Sequence, residues 1–211
     1  MVRTRVHVAR KAAITRKRTV GVRSPRSPRT WLSIRIELVE GRGERRWPRP
    51  GRLFAADRNH TFAQLALAVD DAFARWDRSH LHEFQMSDGT RFGITDPEFD
   101  NEEVLDGRKA RLLRLQPGEK FIYVFDLGDD WTHLCTVGDT ALDPMETLGI
   151  VPEAPIPYFG WGAIPDQYGR RWDGDDGEGQ PPPDPEFADL PPLRPWWGSG
   201  AAEWFGKGRS D

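Results

Sequence analysis

Three of the chain's five histidines fall in a pattern that could do chemistry. His80 and His82 flank Leu81 at the start of an alternating run, Leu81-His82-Glu83-Phe84-Gln85-Met86. On a strand, residues two apart share a face. His133 sits in a second such run, Trp131-Thr132-His133-Leu134-Cys135-Thr136-Val137. If these strands are neighbours, the three imidazoles and a carboxylate from Glu83, Asp126 or Asp129 can converge on one divalent metal with a position open to water. A plainer use exists for the same residues, because histidines that share a face with Trp and Phe are commonly buried and neutral. No cofactor is therefore expected, with a divalent metal held by His80, His82 and His133 as the alternative. Asp126, Asp129 and Asp130 around Gly128 can likewise serve as hard-cation ligands or as an acid/base pair. Their spacing does not fit the twelve-residue calcium loop, and Asp-rich turns bond their own backbone without any ligand. His80, His82, Glu83, Asp126, Asp129, Asp130, Trp131 and His133 together form the candidate functional face. No residue is assigned as catalytic.

A second constellation is basic and aromatic. Arg42, Arg45, Arg46, Arg49 and Arg52 surround Trp47, a composition that can clamp phosphates and stack a base, and equally a solvated hairpin tip. The first thirty residues hold ten basic side chains and no acidic one. Residues 31–165 hold 15 basic and 23 acidic, and residues 166–211 hold 5 and 10. The net charge of −3 is thus a cancellation between an acid-rich body and a basic arm. Nucleic-acid affinity, where present, is expected to come largely from that arm.

Several chemistries have no carrier. The chain contains no phosphate-binding Gly-rich loop, no Gly-x-Ser-x-Gly elbow and no His-Glu-x-x-His. One cysteine, Cys135, can form neither an internal disulfide nor a cysteine-based zinc site. His133 is two residues away on the same strand, about 7 Å, so an inert buried thiol is expected. No run of about 18 apolar residues and no secretory signal is present, so the expected setting is cytoplasmic and no membrane partner is expected.

The elements that must position these residues can be read from periodicity. Leu32, Ile34, Ile36 and Leu38 alternate with polar residues and predict a strand, and Leu53-Phe54-Ala55 predicts its hairpin partner. Thr61 with Gln64 is a capping-box pattern. Phe62, Leu65, Val69, Phe73 and Trp76 then predict a helix from there through Trp76. Two hairpins follow, 81–94 around Ser87-Asp88-Gly89-Thr90 and 120–137 around Gly128-Asp129-Asp130, with residues 96–107 expected as a loop between them. A short helix is expected within 140–149. Beyond Val151 the chain turns Pro/Gly-rich and acidic and predicts a surface-wrapping tail. The predicted fold class is α+β: a single domain with one main helix on a largely antiparallel sheet, hairpin–helix–meander, β-grasp-like in order. The expected divisions are a disordered basic arm over 1–29, the domain over 30–170, and a tail over 171–211 that carries Trp196, Trp197, Trp204 and Phe205.

Three stretches carry a resemblance. Thr61-Phe62-Ala63-Gln64-Leu65 leading to Trp76-Asp77-Arg78-Ser79-His80-Leu81-His82-Glu83-Phe84 resembles the helix-to-strand signature of the plasmid pRiA4b ORF-3-like family. Residues 117–133, from Pro117-Gly118-Glu119-Lys120 to Asp130-Trp131-Thr132-His133, also resemble it, as does Gly162-Ala163-Ile164-Pro165-Asp166-Gln167-Tyr168-Gly169. The likeness spans roughly residues 31–170 and implies a setting on plasmids and beside transposons, but no reaction. Where relatives carry cysteine in the last segment this chain has Tyr168, so a cysteine-assisted metal site is not implied. The resulting expectation is a non-enzymatic binding or accessory module whose partner is nucleic acid or another protein. A metal-dependent hydrolase using the His/Asp face and a protein–protein adaptor are the alternatives.

Overall fold

The alternation at 32–38 extends into a strand, β1, over Trp31–Gly41, with Ile34, Ile36 and Leu38 fully buried and Arg35 exposed between them. In this computed structural model, residues 30–94 and 104–183 are described. The arm 1–29, the segment 95–103 and the tail from 184 onward, with Trp196, Trp197, Trp204 and Phe205, lie outside the described residues.

After β1 come β2 (Glu44–Arg45), β3 (Gly51–Asp57), helix α1 (Phe62–Ala72), β4 (His82–Met86), β5 (Arg91–Gly93) and β6 (Val104–Asp106). A 3-10 turn over Leu112–Arg114 precedes β7 (Lys120–Phe125), β8 (Trp131–Ala141), helix α2 (Pro144–Leu148) and β9 (Ile156–Trp161). The strands form one mixed sheet in the order β6-β5-β4-β7-β8-β1-β3-β9, with β2 paired to β1. Only β5 and β6 run parallel among the described strands. The architecture is α+β on a nine-stranded sheet, larger than the meander expected from sequence. The excess comes from β6, which lies where a loop is expected, and from β9 in the supposed tail. Of the two helices among the described residues, α1 has 11 residues and α2 has five.

The start of α1 follows the capping-box pattern. Thr61 Oγ1 accepts from the Gln64 N–H at 3.2 Å, and Gln64 Oε1 accepts from the Thr61 N–H at 2.9 Å. Phe62, Leu65, Val69 and Phe73 are fully buried against the sheet, and Phe62 stacks on Phe92 with ring centroids 4.4 Å apart. Each such side chain contributes about 1.5–3 kcal/mol by leaving water. The helix ends one turn earlier than the pattern predicts, and Trp76 is 47% exposed. Ala74 adopts the left-handed conformation (φ 55°), the Ala74 N–H donates to the Asp71 carbonyl, and the Arg75 N–H donates to the Asp70 carbonyl. This reversal closes the helix with a non-glycine residue in the place glycine usually takes, which is why sequence periodicity runs past it.

Among the described residues, those up to Ile164 form one compact unit and those from Pro165 a second. Within the second, Asp166 accepts from the N–H groups of Tyr168 and Arg170, and Asp175 from those of Arg171 and Gly177. Its described part is thus a series of aspartate-bonded turns.

Candidate functional site

Register decides which of the candidate residues share a face. His82 pairs with Phe125, and Phe125 with Trp131, so these three lie in one cross-strand row. Phe84, Tyr123, His133 and Leu38 form the next row on the same face. That is the face α1 covers. His82 and His133 therefore do share a face, but Tyr123 stands between them, its ring 5.8 Å from His82 and 5.6 Å from His133.

His133 is completely buried, with the Phe73 ring edge-on at 4.7 Å. Its Nδ1 lies 3.3 Å from the Tyr123 carbonyl oxygen, and its Nε2 has no hydrogen-bond partner among the described residues. Burial, reinforced by the nearby charge of Arg75, pushes its pKa down to about 3, so the ring is neutral at any physiological pH. Burial also lowers the pKa of His82. The Cys135 thiol, at 0% exposure in the next row, is held protonated far above its usual range by the same cause.

Around His133 the structure assembles polar residues absent from the sequence-based candidates. Asp70, on the buried stripe of α1, accepts a 2.7 Å hydrogen bond from the Tyr123 hydroxyl. Burial raises its pKa to about 7, against the opposing pull of that bond and of Arg78 and Arg75. Arg75 is 1% exposed, and its guanidinium lies 3.6 Å from the centre of the Trp131 ring, a cation–π contact. Trp131 is itself buried and occupies the space over Gly41, where a Cβ would meet the indole at 2.1 Å. One signal for this cluster is present in the sequence: Asp70 follows Phe62, Ala66 and Val69 on the apolar stripe, where an acid has no place without a buried donor.

The remaining candidates lie elsewhere. Asp126 takes the left-handed conformation (φ 58°), and its Oδ1 accepts from the Gly128 N–H at 3.0 Å and the Asp129 N–H at 3.4 Å. Its Oδ2 is 3.0 Å from His80 Nδ1, while His80 Nε2 is 3.7 Å from Asp77. Asp129 approaches Arg42 at 3.8 Å and its carbonyl accepts from the Arg42 N–H. Asp130 is exposed at the end of the turn. Glu83 points to the opposite face of the sheet and is tied to Arg91 and Gln85. The eight residues thus fall into three places instead of one. Among the described residues no three His, Cys, Asp or Glu side chains are grouped to hold a metal ion.

The basic hairpin also divides. Arg42, Arg45 and Arg46 lie beside Asp129, Glu40 and Glu44. Arg52 turns to the helix-covered face, where its Nη1 donates to the carbonyls of Gly51 and Trp161 and its guanidinium reaches the Phe73 ring. It is no part of the tip. Trp47 stays 84% exposed, and the Arg49 carbonyl accepts from the Trp161 indole N–H at 2.8 Å.

The family model described as plasmid pRiA4b ORF-3-like protein matches residues 34–154, a span from β1 to just before β9. Among curated proteins none matches. A solved structure of a protein of unknown function, MM3350 from Methanosarcina mazei Go1, is similar at 21% identity and a TM-score of 0.48, covering 62% of this chain and 68% of that one. No helix among the described residues is long and apolar enough to cross a membrane.

Proposed function

The chain belongs to the plasmid pRiA4b ORF-3-like protein family, and on that footing we propose that it is a non-enzymatic binding or accessory module. The observation that carries this reading is the fate of the histidine–carboxylate constellation. His133, Tyr123 and Trp131 are packed under α1, where Asp70 of that helix meets Tyr123, Glu83 faces the other way, and His80 pairs with Asp126 at the turn. Side chains arranged like this specify and stiffen a core. A general base would instead have to present its nitrogen or oxygen to a bound substrate. Nucleic-acid affinity is assigned to the ten basic residues of the first thirty, since residues 31–211 are net acidic.

Binding of labelled duplex DNA to the full chain tests this. Affinity should fall steeply between about 50 and about 200 mM salt, because each neutralised phosphate releases a counterion. A full-length variant with the ten basic residues between Arg3 and Arg29 replaced by glutamine should lose most of that affinity. Unchanged binding by the variant contradicts the role of the arm. Metal-dependent turnover of phosphate or ester substrates that His80→Ala abolishes contradicts the non-enzymatic reading.

A further inference from the structure

Trp47 is the most exposed large apolar side chain among the described residues. Phe159 on the edge strand β9 is 60% exposed. It shares a cross-strand row with Leu53 and Arg35 on the face away from α1. Trp161, two residues further on, lies flat over Gly51, where a Cβ would meet its ring at 2.3 Å. The Arg35 guanidinium sits 4.7 Å from the centre of that ring.

The segment presenting Trp47 is tied down on both sides. The Arg46 N–H donates to the Val39 carbonyl at 2.8 Å, the Leu38 N–H to the Pro50 carbonyl at 2.9 Å, and the Trp161 indole to the Arg49 carbonyl. Pro50 packs against Gly162, where a Cβ would come within 2.7 Å. An anchored loop that holds an indole in water loses little conformational freedom when a flat ligand covers it. Arg35 lies on this face beside Trp161, and Arg45, with 90% of its side chain exposed, and Arg49 flank Trp47 along the chain. Glu37 bonds Arg35 and Glu40 lies 3.7 Å from Arg45, yet a guanidinium has five donors and one carboxylate does not use them all.

We propose that Trp47 and Phe159, with Trp161 anchoring the loop beneath them and Arg35, Arg45 and Arg49 as the cations, form a stacking platform for single-stranded nucleic acid. Unstacked bases offer a π-face to each of the two exposed rings, and the phosphates between them meet the arginines. A duplex keeps its bases stacked and gains nothing from an exposed indole. The proposal rests on the binding reading above and deepens it, placing discrimination between single and double strands in the folded domain and bulk affinity in the arm.

Fluorescence anisotropy with the full chain tests it, comparing labelled oligothymidylate of about 15 nucleotides with a duplex of equal length. Wild type should favour the single strand. Trp47→Ala should weaken single-strand binding by roughly fivefold to a hundredfold, leave duplex binding within about twofold, and be largely rescued by Trp47→Phe. Arg49→Ala should flatten the salt dependence on the single strand by about 0.7 of a logarithmic unit. Equal single-strand affinity of wild type and Trp47→Ala overturns the platform, as does failure of wild type to bind the oligothymidylate at low salt, which would leave this corner to a protein partner. The glutamine-substituted arm loses duplex binding if the arm reading holds, whatever Trp47 does, so the two failures are told apart.

Discussion

Trp131 and Trp47 are the same residue put to opposite uses. Trp131 is 1% exposed, clamped between Gly41 and the Arg75 guanidinium at one end of a buried polar cluster. Trp47 is 84% exposed on a loop anchored by Trp161 and β1. Around Trp131 the fold encloses His133, Tyr123 and Asp70. Around Trp47 it leaves aromatic and guanidinium groups in water. The proposed binding function places recognition at the second region.

That contrast can be broken first by truncating each indole. Trp131→Ala should cost about 3–5 kcal/mol in urea unfolding, the loss expected for a large aromatic removed from a core that cannot collapse. Trp47→Ala should change stability by no more than about 0.5 kcal/mol. A mild Trp131 variant would mean that the buried cluster is not a core.

The next effect is in pH dependence. Asp70 holds its proton up to about pH 7 in the folded chain, against 3.8 for an ordinary aspartate, so the native state carries the extra proton between those values and loses stability as pH rises through them. His133 titrates at about 3 when folded, against 6.5 when free, so there the unfolded state takes the proton and stability is lost as pH falls from about 6.5. The two slopes oppose each other between about pH 4 and 6.5 and flatten the wild-type profile. Asp70→Asn keeps an acceptor for the Tyr123 hydroxyl and removes the first slope. Its melting temperature should exceed the wild type's at about pH 8, by an amount on the order of a few kcal/mol in stability. It should also fall more steeply below about pH 6.5. A parallel shift at every pH would show that Asp70 does not carry the proton.

The smallest effect concerns the helix end that sets Asp70 and Arg75 in place. Ala74→Gly relieves a left-handed alanine and should stabilise the chain by about 0.5–1 kcal/mol in the same unfolding assay. Loss of stability would indicate that the methyl group packs.

Where residues report their own environment, sequence and structure agree. The alternation of β1, the Thr61–Gln64 box and the Asp-rich turn before Trp131 are local signals, and each appears in place. The strands β6 and β9 were not legible. β6 has three residues, and β9 contains Pro157 and Gly160 with a register shift against β3, so neither shows alternation. Within the site, the shared face of His82 and His133 follows from spacing, but Glu83 one residue on must point the other way. The separation of the two imidazoles by Tyr123 depends on pairing between distant strands, which composition does not encode. Asp70 was legible in principle as an acid on an apolar stripe, whereas Arg75 was not, because its burial depends on a reversal at a residue other than glycine.

The most direct test of the enclosed constellation is imidazole NMR on the full chain, following the His133 ring between about pH 8 and pH 5 with and without added zinc. The enclosed core predicts a single neutral tautomer whose signals neither titrate nor respond to the metal. A His133 midpoint near 6.5, or signals displaced by zinc, would contradict it and return this face to the enzymatic reading.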